Sequence, residues 1–404
     1  MGGNVIGFNK KTNLQVKAEK IPLKKIGRSE FTKKFTQVFR KINSLFEKEY
    51  KKTLWKDENL FSGMMFNGST SYIFNSSIPD DEIVKYKEYV GDIDIIVPQE
   101  YKKELWNLLD KLEGKEIIPG VTYIGCNKPT ISSIGEQINS VFIINFGNEK
   151  VAAQVDFEFL PVNNGIPSEW AKFSHSSSFL DLKEANLKAV HHKYLIQALF
   201  GGASMRNDII VVTPSATANN WKSKIKKGKL ALDIPRILKF SVGKGVGKAY
   251  EPLLDESGNI ITSNGKEVWR EIPVSKRDYK TNIKEIFQLA FNVPVVNANE
   301  LKLFNSFVGI IKLIKKYLNQ KQIENTFFRY IDKLWGDHAQ EIEPDNEEKD
   351  YRVKITGYNY FIKQISWLKK YDKKIKNQIN NYYKNWKGRR FDKILQKTGI
   401  KGNI

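Results

Sequence analysis

Two alternating runs constrain this chain more than anything else in it. They are Gly91-Asp92-Ile93-Asp94-Ile95-Ile96-Val97 and Gln154-Val155-Asp156-Phe157-Glu158-Phe159-Leu160-Pro161. Successive side chains of a β-strand point to opposite faces. The first run therefore offers Asp92 and Asp94 on one face while Ile93 and Ile95 enter a core. The second offers Gln154, Asp156 and Glu158 on one face and Val155, Phe157 and Phe159 on the other. If the two strands are neighbours, Asp156 stands beside the Asp92/Asp94 pair. Unpaired carboxylates that close repel one another unless a cation neutralises them. A set of hard oxygen ligands suits Mg²⁺, which retains waters and accepts substrate phosphates as its other ligands.

The surrounding pattern predicts an α+β fold. Residues 1–28 are basic and polar and read as a short extended arm or hairpin. Phe31, Phe35, Val38, Phe39, Ile42, Leu45 and Phe46 recur at helical spacing, with Ser29 as the expected N-cap. Leu60 to Phe66 reads as a short strand leading into Asn67-Gly68-Ser69. A polar, acidic insertion, roughly 75–88, separates that turn from Asp92. A helix is expected over 99–113, strands near 121–125, 140–146 and 151–160, and one long helix from about Asp181 to Phe200. This first domain, 29–202, closes at Gly201-Gly202. The middle, 203–280, is strand and turn rich, with hairpin signals at Asp255–Asn259 and Asn264-Gly265. The remainder, 281–404, reads as a helical, basic domain.

The order helix, strand, Gly-Ser turn, Asp-x-Asp strand, later acid-bearing strand resembles the DNA polymerase beta-type nucleotidyltransferase superfamily, and most closely its family X palm. The resemblance covers about residues 60–200. It implies a nucleotidyltransferase palm with a mixed sheet and flanking helices. By the same resemblance, Asp92, Asp94 and Asp156 bind two Mg²⁺ (or Mn²⁺) about 4 Å apart, which stabilise both ends of an in-line phosphoryl displacement. Asp156 is preferred over its neighbour Glu158 because it precedes the Phe-x-Phe-Leu-Pro that resembles the family strand. Gly68 and Ser69 would hold the triphosphate, Gly68 because a Cβ would block close backbone approach. A helix beginning at about Thr70 would add a favourable dipole. Lys172-Phe173-Ser174-His175-Ser176-Ser177 resembles the family's substrate turn, which implicates Ser174 and Ser176. Further triphosphate contacts are expected from Lys172, Lys188, His191 or Lys193, and His175 is placed to touch substrate.

Charge points to the partner. The chain has 404 residues, 66 basic and 45 acidic, for a formal net charge of +21. Such an excess favours a polyanion, nucleic acid first. The segment from Tyr351 to Ile404 carries fifteen Lys/Arg residues, and only Asp372 and Asp392 as acids. Aromatics including Tyr358, Phe361, Trp367, Tyr382, Tyr383 and Trp386 are interleaved with that charge. Contact with nucleic acid is expected near Lys384 to Arg390, with affinity that falls steeply with salt. Gly243-Lys-Gly245-Val-Gly247-Lys248 lacks both the Walker spacing and the dinucleotide fingerprint, so it reads as an ordinary connection. In His191-His192 adjacent helical residues point apart, which predicts one packed and one surface histidine.

Cys126 is the only cysteine, so internal disulfides and a cysteine-based zinc site are excluded. The amino terminus shows no basic patch followed by an apolar run, and no apolar run reaches about 18 residues. A cytoplasmic protein that does not enter membranes is the expectation. The function expected is transfer of NMP or dNMP from a nucleoside triphosphate to a hydroxyl of RNA or DNA, without a template, as in tailing or tRNA end repair. Two alternatives stand beside it: a small-molecule or protein acceptor, or a non-catalytic nucleic-acid-binding protein on the same fold.

Overall fold

A computed structural model describes residues 5–127, 137–175, 178–203, 210–212, 231–232, 237–241, 245–273, 276, 279–280, 282–337 and 339–388. The chain is mixed α and β, and its contacts cluster into two compact units, Met1–Glu184 and Ala185–Ile404.

The first unit is built on a sheet of β1 (Ile6–Asn9), β2 (Leu14–Lys17), β3 (Ile93–Pro98), β4 (Glu116–Ile118), β5 (Val121–Cys126), β6 (Gln137–Phe146) and β7 (Glu149–Leu160). Their order is β2-β1-β5-β6-β7-β3, with β4 beside β5. β3 runs parallel to β7, and the other pairings in this sheet are antiparallel. The amino-terminal residues are thus a hairpin that joins the sheet through Phe8 and Cys126, rather than an arm outside the domain.

The long helix after it, α2 (Arg28–Tyr50), follows the short α1 (Leu23–Ile26) and is preceded by Gly27 at φ 83°, not capped by Ser29. Its apolar stripe of Phe31, Phe35, Val38, Phe39, Ile42 and Phe46 is fully buried. Phe39 meets Phe157 of β7 edge-on at 6.4 Å, so the apolar face of the acid-bearing strands is covered by α2. Trp55 reinforces the layer by donating Nε1–H to the Ile96 carbonyl at 2.7 Å.

The expected strand over 60–66 does not form. Leu60 and Phe61 end α3 (Asp57–Phe61), the chain turns at Gly63 (φ 74°), and one isolated bridge, Phe66 with Ile95, remains. Turn bonds hold the segment: Gly63 N–H donates to the Leu60 carbonyl at 3.3 Å and Phe66 N–H to the Gly63 carbonyl at 3.2 Å, while Ile96 N–H reaches the Met65 carbonyl at 2.7 Å. The Lys172 ammonium also reaches the carbonyls of Gly63, at 3.4 Å, and Phe66. Next come α4 (Thr70–Ile73) and, inside the acidic insertion, α5 (Asp80–Tyr86). The 99–113 expectation is met by a 3-10 turn and α6 (Lys102–Leu112). Then α7 (Glu169–His175) takes in Lys172 to His175 of the expected Ser-rich turn; Ser176 and Ser177 lie outside the described residues.

The single helix expected over 181–200 is two: α8 (Phe179–Ala185) and α9 (Ala189–Ala203), separated at Asn186 with φ 50°. The domain boundary accordingly falls at 184/185 and not at 202, because α9 is apolar on nearly all sides and is buried within the second unit. There α9 packs among α10 (Ile283–Phe291), α11 (Ala298–Phe304), α12 (Phe307–Tyr317), α13 (Gln320–Trp335), α14 (Glu347–Gln364) and α15 (Asp372–Lys384). The expected turns are present: Asp255 Oδ1 accepts from Ser257 and Asn259 N–H at 2.9 and 2.8 Å. Asn264 and Gly265 link Thr262–Ser263 to Lys266–Glu271 with φ of 54° and 73°. Among the described residues no helix is long and apolar enough to cross a membrane.

Candidate metal centre

The parallel pairing of β3 with β7 sets the site. Its register aligns Asp94 with Asp156 and Ile96 with Glu158, so the two strands turn their carboxylates to the same side. Asp92, Asp94 and Asp156 each bring a ligand atom within 4.8 Å of the others. A cluster of that composition can hold a metal ion.

Local hydrogen bonds fix the bend beside it. Asn67 N–H donates to the Asp94 carbonyl at 3.0 Å. The buried Thr70 hydroxyl accepts from Asp94 N–H at 3.2 Å and donates to the Asp92 carbonyl at 3.4 Å. Gly68 takes φ 53° directly against Asp94, where an added Cβ would overlap Oδ2. A side chain here would therefore displace the Asp94 carboxylate, whether or not a phosphate is bound. Ser69 stands as the N-cap residue of α4, with no side-chain cap bond.

Electrostatics report the crowding. Burial, then the charges of Asp92, Glu158 and Asp156, push Asp94 well above the usual carboxylate range, and Lys87 opposes the rise. Asp156 is pushed up to about 7, by burial first and by Asp92 second, against hydrogen bonds from Asn139 and Gln154 that favour its charge. The Gln154 amide donates to both Asp156 oxygens at 3.0 and 2.9 Å. Glu158 is engaged differently: Asn67 Nδ2 donates to its Oε2 at 2.6 Å. The structure thus brings Asp156 to the pair and ties Glu158 to the bend.

Other expected contacts fall elsewhere. Lys172 lies in the first unit, but its ammonium is turned to the Gly63 and Phe66 carbonyls; burial lowers it to about 8, opposed by Glu158. Lys188 lies in the second unit, where it pairs with Glu343. His191 and His192 are both buried in that unit, correcting the expectation of one surface ring. His191 bonds Tyr330 Oη and the Val353 carbonyl at 2.6 and 2.8 Å, and His192 bonds the Phe304 carbonyl at 3.1 Å. Lys193 is exposed in the same unit. Ser174 is helical in backbone, and its side chain, like that of His175 and all of Ser176, lies outside the described residues. Arg389 and Arg390 also lie outside them.

The interleaved aromatics of the basic segment are largely interior. Tyr358, Phe361, Tyr382 and Trp386 are buried. Lys354 is buried too, 3.2 Å from Asp350 and bonded to Tyr382 Oη at 2.8 Å.

Sequence reasoning missed Asn67, Thr70 and Lys87. The signal for Thr70 was weak, a hydroxyl one residue past Ser69. Lys87 was hidden in a segment whose composition is acidic. No protein-family model, curated protein or solved structure matches this chain.

Proposed function

We propose that the first unit is a metal-dependent nucleotidyltransferase, acting on a nucleoside triphosphate and a hydroxyl acceptor of RNA or DNA. The observation that supports it best is the convergence of Asp92, Asp94 and Asp156 beside a bend at Gly68 (φ 53°) so close to Asp94 that an added Cβ would displace its carboxylate.

In this reading Asp92, Asp94 and Asp156 hold divalent cations, with Mg²⁺ favoured by an all-oxygen donor set. Bound there, the cations would supply charge stabilisation for the transferred phosphoryl group and lower the pKa of the attacking hydroxyl. Asp156, held by Gln154, orients its oxygens toward the pair and is suited to receive the acceptor's proton. Gly68 and Ser69 carry the backbone past Asp94, leaving amide and hydroxyl donors for the triphosphate. Lys87, whose charge already reaches Asp94, is the cation that would meet the phosphates from the α5 side. The acceptor class rests on the net charge of +21.

The test is incubation with Mg²⁺, each labelled NTP and dNTP, and mixed RNA and DNA oligonucleotides. Labelled oligonucleotide, absent with Asp94→Asn, supports the proposal. Label on small molecules or protein would replace the acceptor, and no transfer to anything would remove the enzyme reading.

A further inference from the structure

We propose that a groove along α2 of the first unit binds the sugar–phosphate backbone of a nucleic-acid strand, holding the acceptor chain by a stretch remote from its reacting hydroxyl; this rests on the nucleic-acid reading of the acceptor given above. The groove encloses about 510 Å³. One wall is a single face of α2, where Ser29, Lys33, Gln37 and Arg40 recur at helical spacing. At 1.5 Å per residue that face runs about 17 Å. The other wall is the segment from Ile73 to Asp80, including Ser76.

Arg28 builds the groove rather than lining it passively. Its buried guanidinium donates to the Ile73 carbonyl at 2.6 Å, to the Asn75 and Ile78 carbonyls, and to Asp80 Oδ1 at 2.8 Å. A charged group spent on four acceptors of one loop fixes the shape of that loop against α2. Arg40 is likewise oriented, by Asp57 at 3.2 and 3.1 Å. Lys33, Gln37, Ser29 and Ser76 are exposed.

The chemistry of the lining chooses the partner. Its cations are Arg28, paired with Asp80, Arg40, paired with Asp57, and Lys33, so Lys33 supplies the positive charge in excess of the ion pairs. Hydroxyl and amide donors flank the cations, and such donors together with Lys and Arg are what phosphate and sugar oxygens receive in nucleic-acid complexes. A membrane surface would call for exposed apolar anchors, and this face of α2 presents polar residues. Ile73 ends α4, which begins immediately after Ser69, so one wall of the groove is continuous in sequence with the bend, while α2 itself covers the sheet face opposite the carboxylates.

Fluorescence anisotropy with short labelled single-stranded RNA and DNA, titrated at several salt concentrations, tests this. Lys33→Glu/Gln37→Glu is expected to weaken binding at least about tenfold and to reduce the slope of log affinity against log salt by about one. Lys33→Arg should bind like the parent. If the double variant melts early, Lys33→Gln serves, with the same change in slope expected. Unchanged affinity and slope in these variants, or no oligonucleotide binding by the parent chain, overturns the proposal. So does loss confined to Lys373→Gln/Lys374→Gln in the second unit. Oligonucleotide labelling that persists with unaltered groove variants would sink the groove and leave the enzyme. Groove-dependent binding without any transfer would do the reverse.

Discussion

Asp94 lies directly across from Asp156 in the parallel pairing of β3 and β7, and this register makes two acids from distant strands one ligand set. The carboxylates therefore repel one another unless a cation lies between them. Burial and neighbouring carboxylates raise Asp156 from 3.8 to about 7 and raise Asp94 as well. A carboxyl group whose folded pKa exceeds its unfolded value destabilises the fold as pH rises through that interval. Two measurements follow. Asp156→Asn should raise the melting temperature of the metal-free protein at pH 8, by on the order of 2–4 kcal/mol in stability. Mg²⁺ or Mn²⁺ should stabilise the parent, by about 2.7 kcal/mol at a hundredfold excess over Kd, and should not stabilise the variant. Because protons compete for the same oxygens, the metal-induced shift should shrink as pH falls below about 7. A shift independent of pH, or one retained by Asp156→Asn, would remove the cation from this site.

Gly68→Ala combines two penalties. A non-glycine residue in the left-handed region costs about 1–2 kcal/mol, and here the new methyl would also displace Asp94 Oδ2. Gly258, at φ 84° with nothing within 4 Å of a built Cβ, carries the first penalty alone. Both alanine variants should lose similar stability from backbone strain. Only Gly68→Ala should lose metal-induced stabilisation, along with nucleotidyl transfer by about a hundredfold, the scale of a misplaced catalytic group. Equal behaviour of the two in metal titration would show that the bend does not position Asp94.

How far the sequence disclosed this arrangement can be followed residue by residue. Alternation in 92–97 and 154–160 was enough to turn Asp92, Asp94 and Asp156 away from Ile93, Ile95 and Phe157, because period-2 patterning is local. Alternation treats Asp156 and Glu158 alike; the preference for Asp156 comes from the family resemblance of the residues after it, and the register of two strands some sixty residues apart sets Asp156 against Asp94. The strand expected at 60–66 gave way to turns: Gly63 N–H binds the Leu60 carbonyl and Phe66 N–H the Gly63 carbonyl, while Met65 and Asn67 bond β3. The run 181–200 looked continuous because Asn186 is tolerated inside helices, yet it adopts φ 50° and ends one unit before the next begins. Aromatics at 358–386 satisfied both a stacking surface and a helical core, and burial chose the core for half of them.

Lys172 is a structural cation of the site. Its ammonium holds the Gly63 and Phe66 carbonyls near Glu158, which in turn accepts from Asn67. Lys172→Met should destabilise by about 1–3 kcal/mol, since a half-buried carboxylate loses its counter-charge. Glu158→Gln should cost less, and the double variant less than the sum, with a coupling of about 1 kcal/mol. Denaturant titration of the four proteins measures it. Strict additivity would mean that Lys172 and Glu158 do not act through one network.

The two histidines of α9 supply an acid-side prediction of opposite sign to that of the carboxylates. In His191, Nε2 must carry the proton because its partner is the Val353 carbonyl, and Nδ1 accepts from Tyr330 Oη. The His192 Nε2–H likewise donates to the Phe304 carbonyl. Both neutral rings are satisfied, and burial lowers each from 6.5 to about 4. Between those values the unfolded chain binds protons that the folded chain refuses, so stability falls as pH drops from 6.5 toward 4, by up to about 3 kcal/mol per ring. His192→Gln keeps a donor for the Phe304 carbonyl without a titrating group, and should flatten this acid limb by roughly half. In the folded parent, the ring resonances of positions 191 and 192 should stay constant from pH 7.5 to 5. A midpoint near 6.5 for either ring would mean that it is reached by water, and that α9 is not the buried centre of the second unit.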